Sequence, residues 1–264
     1  MQPIKTNASA EDLASETSDA DARALVESVT WYHAFELRPG IVTPGSQAIN
    51  PSAACDALGI PRDLNGKSAL DVGAWDGALT FELERRGARS FALDIQDPKR
   101  VGFDIARRIL RSNAVHYRGS IYQLPFDELR DLDVVVMRGV YYHLKYPLLG
   151  FECAAAALKL GGTLYFEGEG FSHYAETIDG RAVDFDVAKS ELKNVPVCLA
   201  YPNSYKKASN WFIPSAAALA GWIAAAGMKV ERMCCWTDGE AGQRLYGNAT
   251  KIDETSFKLE HPLY

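Results

Sequence analysis

The stretch from Leu70 to Gly77 constrains the fold of this chain more than any other. It is an apolar run followed by two glycines, Gly73 and Gly77, and by a helical pattern that begins at Ala78. Glycine has no Cβ atom, so the chain can turn sharply there and a ligand can approach the backbone closely. The unpaired N–H groups in the first turn of the helix would face that ligand. The stretch therefore predicts a buried strand, a tight turn and a helix, with a binding site at the turn.

Apolar runs alternate with helical patterns through the rest of the chain. We predict strands at about 68–72, 89–94, 114–118, 132–138, 162–168, 228–235 and 243–250, and helices at about 77–87, 98–111, 124–130, 147–159 and 215–226. Strict alternation of strands and helices requires parallel pairing and places helices on both faces of the sheet. The predicted fold class is therefore α/β: a Rossmann-like, doubly wound, mostly parallel seven-stranded sheet.

Three regions surround or interrupt this predicted fold. Residues 1–20 are rich in small and acidic side chains and are predicted to be disordered or frayed, and residues 21–65 are predicted to form an N-terminal helical segment. The domain itself covers 66–264, with an insertion at 168–213 that walls the substrate pocket. The N-terminal segment contains an aromatic run that begins at Trp31, and two interpretations of this run stay open: a lid over the site, or packing on the sheet edge.

The composition of the chain argues against several classes of protein. The 264 residues carry a formal net charge of −6, so the chain lacks a global basic field for nucleic acid. No apolar run approaches the roughly 18 residues of a membrane span. The five cysteines lack C-x-x-C spacing, so no metal site is predicted. Because the N-terminus shows no signal pattern, the predicted location is the cytoplasm, and the oligomeric state stays open.

Ligands of doubly wound folds bind outside the carboxyl ends of the strands. Asp94 ends the second predicted strand about 20 positions after the glycine turn, where a carboxylate can accept hydrogen bonds from ribose hydroxyls. The glycine spacing is not that of the G-x-G-x-x-G dinucleotide fingerprint. The residues predicted to bind a cofactor are Asp71, Gly73, Ala74, Trp75, Gly77, Asp94, Ile95, Ser120, Ile121 and Arg138.

Polar residues after the fourth and fifth predicted strands are candidates for the chemistry. Tyr141 and His143 are the predicted catalytic residues, with His143 either a general base or a hydrogen-bonded structural histidine. His33, Glu167 and His173 are weaker candidates for the base. The residues predicted to contact the substrate are Trp31, Tyr32, His33, Glu167, Tyr201 and Tyr205.

The turn D-V-G-x-x-x-G resembles motif I of the class I methyltransferases, which bind S-adenosylmethionine. Three further blocks accompany it: W-Y-H at 31–33 with G-I-V-T-P-G at 40–45, G-V-Y-Y-H at 139–143, and W-F-I-P-S at 211–215. Together they resemble the family of the tRNA wobble-uridine enzyme, which transfers a carboxymethyl group from carboxy-S-adenosylmethionine. The resemblance implies that Gly73 and Asp94 bind the cofactor and that Tyr141 lies near its sulfonium.

The leading hypothesis is an S-adenosylmethionine-dependent methyltransferase that acts on a hydroxyl or amine of a small molecule, as in secondary metabolism. The alternative is a tRNA wobble-uridine alkyltransferase that uses S-adenosylmethionine or its carboxy form. In that case a basic stripe would contact phosphates: Arg100, Arg107, Arg108, Arg111 and Arg118. The tRNA enzymes have a longer and more basic N-terminal portion and hold the extra carboxylate with basic side chains, whereas no such residue is predicted here in the C-terminal strand. A protein that keeps the fold and binds without turnover is the third possibility.

Overall fold

The computed structural model describes residues 3–9, 16–171, 174–184, 194–207, 209–237 and 243–253. The chain forms two compact units, Met1–Val136 and Met137–Tyr264. Within the described ranges, no helix is both long and apolar enough to cross a membrane, and no group of three or more His, Cys, Asp or Glu side chains is arranged to hold a metal ion.

The first unit is built from short N-terminal elements followed by alternating strands and helices. In chain order these are β1 (Ile4–Thr6), α1 (Asp19–Glu27), β2 (His33–Ala34), β3 (Glu36–Arg38), β4 (Ile41–Val42), β5 (Gln47–Ala48), α2 (Pro51–Leu58), β6 (Ser68–Val72), α3 (Ala78–Arg85), β7 (Arg89–Asp94), α4 (Phe103–Leu110), β8 (Val115–Arg118) and β9 (Leu132–Arg138). Strand β7 pairs in parallel with both β6 and β8. The last two residues of β9 belong to the second unit.

The second unit continues with one long strand and a terminal antiparallel pair. Its elements are α5 (Pro147–Ala157), β10 (Leu158–Gly170), β11 (Tyr174–Glu176), β12 (Ala182–Asp184), β13 (Cys198–Ala200), β14 (Phe212–Pro214), α6 (Ala216–Ala225), β15 (Met228–Thr237) and β16 (Gln243–Lys251). Strand β16 pairs antiparallel with β10 on one side and with β15 on the other. Within the region of the predicted insertion, β11 pairs with β12 and β13 with β14.

The large sheet has the strand order β1-β8-β7-β6-β9-β10-β16-β15. The prediction of an α/β fold around a mostly parallel sheet is confirmed, but the sheet has eight strands. The additional strand is β1, which lies in the region predicted to be disordered. Its backbone pairs antiparallel with β8, with Ile4 opposite Arg118, and an ion pair joins Lys5 to Glu128. Local composition could not reveal this strand because its pairing partner lies more than a hundred residues away.

Two other predictions about secondary structure were wrong. The predicted helix at 124–130 is a single turn, in which Leu129 N–H donates to Pro125 O at 2.8 Å, and Asp131 then adopts a left-handed conformation with φ of 56°. The segment at 21–65 holds helices α1 and α2 but also four short strands between them. Two Pro-Gly turns divide that stretch into pieces too short for further helices.

The aromatic run of the N-terminal segment packs in the core of the first unit. Trp31 and Phe35 are buried in one cluster with Phe103 of α4, and their own rings meet edge to face at 6.3 Å. The indole Nε1–H of Trp31 donates to Val26 O at 2.7 Å. A Cβ atom on Gly102 would lie 2.6 Å from the indole, so glycine is required where the backbone passes the ring. Trp31 was predicted to contact the substrate; its side chain is buried in this cluster, and the substrate contact stays a prediction.

Candidate functional site

The glycine turn after β6 has the strained backbone that its sequence predicted. Gly73, Trp75 and Gly77 all have positive φ angles, of 75°, 50° and 87°. Left-handed backbone costs a residue with a side chain about 1 kcal/mol, so Trp75 keeps this conformation only because its surroundings hold it. A Cβ atom on Gly77 would lie 2.5 Å from the ring of Phe81. The turn therefore needs glycine at its end both for conformation and for space.

Asp94 holds this turn from the end of the neighbouring strand. One carboxylate oxygen accepts the backbone N–H of Trp75 at 2.8 Å, and the other accepts that of Gln96, also at 2.8 Å. Burial raises the pKa of Asp94 above its usual value, while these backbone N–H groups act in the opposite direction. The next side chain, Ile95, is 67% exposed. A buried acceptor pair and an exposed apolar side chain thus lie next to each other at the carboxyl end of β7.

Asp71 was predicted to bind the cofactor. Its side chain is buried within β6, and its carboxylate accepts the hydroxyl of Thr80 in α3 at 2.7 Å. Burial raises the pKa of Asp71 to about 7, despite that hydrogen bond. Asp71 thus connects the strand to the helix on either side of the turn, and its cofactor contact stays a prediction. The side chain of Ala74 is buried as well, so only its backbone is available.

Asp76 is the residue of the turn that sequence reasoning missed. It is fully buried, and its carboxylate accepts the backbone N–H groups of Tyr32 at 3.1 Å and His33 at 2.7 Å. Its second oxygen is 2.6 Å from Nδ1 of His33. The Tyr32 and Trp75 rings are 4.9 Å apart. Tyr32 and His33 therefore lie at the glycine turn. The signal in the sequence was Asp76 itself, because an acidic residue between the two glycines of a buried turn needs hydrogen-bond donors from another part of the chain.

The loop after β8 also lies beside Asp94, because Gly119 N–H donates to Asp94 O at 2.8 Å. Ser120 begins a short helical turn, Ile121–Gln123, and its hydroxyl accepts the N–H of Tyr122 at 3.3 Å. Ile121 is buried, and its contact with the cofactor stays a prediction. The cofactor contact of Ser120 stays a prediction.

In the second unit, a polar cluster surrounds Arg244 of β16. Its guanidinium donates to Glu167 at 2.5 Å and to Glu169 at 3.0 Å. Burial alone would lower the pKa of Arg244, but its hydrogen bond to Glu167 raises it above the usual value. Nε of Arg138 is 3.5 Å from Oε2 of Glu167, and Nζ of Lys206 is 3.2 Å from Oε2 of Glu169. The C-terminal strand does carry a basic residue, which the sequence did not predict, and two carboxylates already neutralise it.

Tyr141 and His143 follow β9 and differ in exposure. Tyr141 is wholly buried, and its hydroxyl donates to the Glu169 carbonyl oxygen at 2.8 Å. Burial raises the pKa of Tyr141 well above its usual value, and its role as a catalytic residue stays a prediction. His143 is exposed, with Nδ1 2.8 Å from Ser209 O. Desolvation lowers the pKa of His143, and its role as a base stays a prediction.

Tyr201 and Tyr205 were predicted to contact the substrate. Both are buried, their ring centroids are 4.7 Å apart, and their substrate contacts stay predictions. Glu167 does lie in the polar cluster, and its substrate contact stays a prediction. His173 lies outside the described residues.

Residues 70–166 match a protein family described as a methyltransferase domain. This part of the chain, which contains the glycine turn and Asp94, is similar to methyltransferase domains. The curated relatives include the tRNA U34 carboxymethyltransferases of Actinobacillus pleuropneumoniae serotype 3, 28% identical over 171 residues, and of Pseudomonas paraeruginosa, 29% identical over 170 residues. These alignments cover 63% and 62% of this chain. They cover 46% of each relative, so the chain spans about half the length of the curated relatives it matches.

Solved structures share the fold of the domain at low sequence identity. The N-terminal domain of EvdMO1 with bound S-adenosylhomocysteine has a TM-score of 0.59 and 19% identity, covering 90% of this chain and 98% of that one. The Burkholderia thailandensis 1,6-didemethyltoxoflavin-N1-methyltransferase has a TM-score of 0.53 and 14% identity, covering 77% of this chain and 76% of that one. The domain thus has the Rossmann-like methyltransferase fold.

The residues at the glycine turn fit an adenosyl group. The turn offers close approach to the backbone, the Asp94 carboxylate offers acceptors for ribose hydroxyls, and Ile95 offers an apolar surface. The Rossmann fingerprint for a pyrophosphate, G-x-G-x-x-G, is not present at this turn. S-adenosylmethionine, which has no pyrophosphate, suits this donor set.

Proposed function

We propose that this protein transfers a methyl group from S-adenosylmethionine to a hydroxyl or amine of a small-molecule acceptor. One observation carries the proposal: Asp94 clasps the left-handed turn through the N–H of Trp75, at the carboxyl end of two adjacent parallel strands. That edge is where doubly wound folds bind nucleosides. The match of residues 70–166 to a methyltransferase domain supports the same conclusion.

When bound, S-adenosylmethionine supplies a methyl carbon that its sulfonium already activates. The task of the chain is therefore to hold the acceptor atom in line with that carbon and to remove the acceptor's proton. Correct positioning alone supplies several kcal/mol of the barrier. In this proposal the turn and Asp94 fix the nucleoside.

The charges in the second unit favour a plain methyl group over a carboxymethyl group. Arg244 lies in the C-terminal strand, and its guanidinium is already bound by the carboxylates of Glu167 and Glu169. Arg244 is therefore poorly suited to hold the extra carboxylate of a carboxymethyl donor.

The basic stripe of the tRNA hypothesis is interrupted. Arg107 is buried, where it pairs with Asp104 and donates to Thr6 O, and Arg118 pairs with Asp97 at 3.1 Å. Paired or buried guanidinium groups are poor partners for phosphates. This arrangement and the net charge of −6 support a small acceptor.

The test begins with binding and continues with turnover. Calorimetry on the purified chain should detect S-adenosylmethionine and S-adenosylhomocysteine but not NAD, and mass spectrometry of any co-purified nucleoside should show no carboxylate on the methyl group. Phenols, alcohols and amines are then screened by release of S-adenosylhomocysteine. Binding of NAD in place of the sulfonium nucleoside would overturn the proposal.

A tRNA alkyltransferase is the second candidate, because the curated relatives are named tRNA U34 carboxymethyltransferases. Incubating the protein and S-adenosylmethionine with total tRNA, followed by nucleoside mass spectrometry, distinguishes the two functions. An alkylated uridine, together with tRNA binding that weakens steeply with added salt, would favour this candidate over the small acceptor.

A further inference from the structure

A histidine–aspartate pair lies at the glycine turn and has no part in the function as argued above. Nδ1 of His33 is 2.6 Å from one carboxylate oxygen of Asp76. Asp76 is fully buried, whereas the His33 side chain is 14% exposed. A buried carboxylate against Nδ1 selects the tautomer whose proton is on Nδ1, and this leaves the lone pair of the neutral ring on Nε2. This is the arrangement of an oriented base.

The backbone of His33 is held on several sides. Its N–H donates to Asp76 at 2.7 Å, and its carbonyl oxygen accepts the hydroxyl of Thr43 at 2.7 Å. A Cβ atom on Gly45 would lie 2.2 Å from the His33 carbonyl carbon, so the backbone at Gly45 packs directly against that of His33. Strand β2, which contains His33, also pairs with β5. A solvated surface histidine needs no such support, whereas a base must be held in position.

The pair lies on the same turn as the cofactor contacts. Tyr32, the neighbour of His33, packs its ring 4.9 Å from that of Trp75, whose N–H is bound by Asp94. The charged groups around the pair are acidic: Asp76 is in direct contact, Asp71 interacts with His33 at longer range, and Asp94 interacts with Asp76. The paired strand β5 contributes only Gln47 and Ala48, which carry no charge.

We infer that His33 is the general base that takes the proton from the acceptor, and that Asp76 is the positioning residue that holds its tautomer. This inference rests on the proposed methyl transfer. As the acceptor oxygen or nitrogen forms its bond to the methyl carbon, the carbon–sulfur bond breaks and its electron pair stays on sulfur, which becomes the thioether of S-adenosylhomocysteine. The acceptor's proton moves to Nε2 of His33, and the imidazolium, paired with Asp76, later releases it to water.

The first experiment needs no acceptor. The ring nitrogens of His33 are observed by ¹⁵N NMR in the full chain, alone and with S-adenosylhomocysteine or sinefungin, an analogue that carries an amine at the position of the transferred methyl group. We expect the Nδ1–H tautomer in every state, and a shift of the Nε2 signal with sinefungin that exceeds the shift with S-adenosylhomocysteine. A His33 signal that does not distinguish the two ligands, or a proton on Nε2, would overturn the inference.

The second experiment measures turnover with the acceptor from the screen. His33→Ala should lower kcat by about 10²- to 10⁴-fold, the range of a lost general base, with the Kd for S-adenosylhomocysteine unchanged within about twofold. Added imidazole should restore part of the rate in His33→Ala in proportion to its unprotonated fraction. Gln47→Ala, opposite His33 in the β2–β5 pair, is the matched control and should keep the parent rate.

Asp76→Asn tests the positioning role. Its amide can donate to Nδ1 and select the wrong tautomer, so kcat should fall at least tenfold, and the NMR spectrum should show the proton on Nε2. Full activity in His33→Ala assigns the base elsewhere, with His143 as the next candidate, and leaves the methyltransferase proposal intact. Failure of the parent chain to bind either nucleoside refutes the proposed function itself, so the two failures are distinguishable.

Discussion

His116 provides a quantitative test of the burial that the structure describes. It lies in β8, wholly buried, with its ring 4.7 Å from that of Phe103. Neither ring nitrogen has a hydrogen-bond partner among the described residues. Burial, assisted by the nearby positive charge of Arg107, lowers the pKa of His116 from 6.5 to about 4. The unfolded chain therefore takes up a proton on this side chain well before the folded protein does.

The sign and the size of the effect follow from this difference in pKa. As the pH falls below 6.5 the unfolded state is stabilised by protonation of His116, and the loss of folding stability is complete below about pH 4. Each pKa unit corresponds to about 1.4 kcal/mol, so the full effect is about 3 kcal/mol, of which about 2 kcal/mol is reached by pH 5. Asp71 opposes this trend, because its folded pKa is raised to about 7 and the folded state gains protons first.

Because these two effects offset each other, the informative quantity is a difference between two proteins. His116→Phe keeps an aromatic ring beside Phe103 and removes the titration, while Asp71 contributes equally to both chains and cancels. Urea unfolding of the parent and the variant at pH 7.5 and pH 5 should show the variant gaining about 2 kcal/mol relative to the parent on acidification. Phe103→Leu, which alters the same packing but keeps the imidazole, should show no such gain. An equal difference at both pH values for His116→Phe would refute the reasoning.

Three further perturbations test the turn and the polar cluster. Gly77→Ala should lower the unfolding free energy by about 1–3 kcal/mol and abolish calorimetric binding of S-adenosylhomocysteine. Gly66→Ala is the control, because Gly66 has a similar φ angle but no atom within 4 Å of an added Cβ, and it should lose about 1 kcal/mol and keep binding. Equal effects of the two substitutions would argue against crowding at the turn. Asp94→Asn should weaken that binding by at least tenfold, the value of a charge-assisted hydrogen bond, and unchanged affinity would exclude the ribose role. Arg244→Met should lower the unfolding free energy in urea by about 3–5 kcal/mol, because Glu167 and Glu169 both lose their partner. Adding Glu167→Gln should recover part of this loss. If it recovers none, the unpaired charge was not the cause.

Local patterns were sufficient for most of the sheet but not for its edge. The strands at 68–72, 89–94 and 132–138 have the bounds that their apolar runs predicted, because a strand in a buried parallel sheet is apolar along most of its length. Strand β1 has no such signal, since an exposed edge strand can be polar and is specified by its partner. The single turn at 125–129 shows the converse, in which helical spacing is present but the chain reverses before a second turn can form.

For the site, the sequence predicted a tight glycine turn but not the burial of the side chains predicted around it. Asp71 lies within a predicted strand, Ile121 and Tyr141 lie after predicted strands, and all three side chains are buried. In a strand, successive side chains point to opposite faces of the sheet, so an error of one residue assigns every side chain to the wrong face. A loop after a strand has no such alternation, so its sequence does not show which side chains are buried.

Asp76 shows why the N-terminal segment could not be assigned from its own sequence. A carboxylate buried within a glycine turn must be compensated, since its desolvation would otherwise prevent it from staying charged. The turn itself offers no donor to Asp76 among the described residues, and all three of its contacts come from Tyr32 and His33, more than forty positions earlier. The position of Tyr32 and His33 is thus determined by the buried carboxylate of Asp76, which is distant in the sequence. The hydrogen bonds to Asp76 that stabilise the turn also hold the His33 imidazole there, where we propose that it acts as the base.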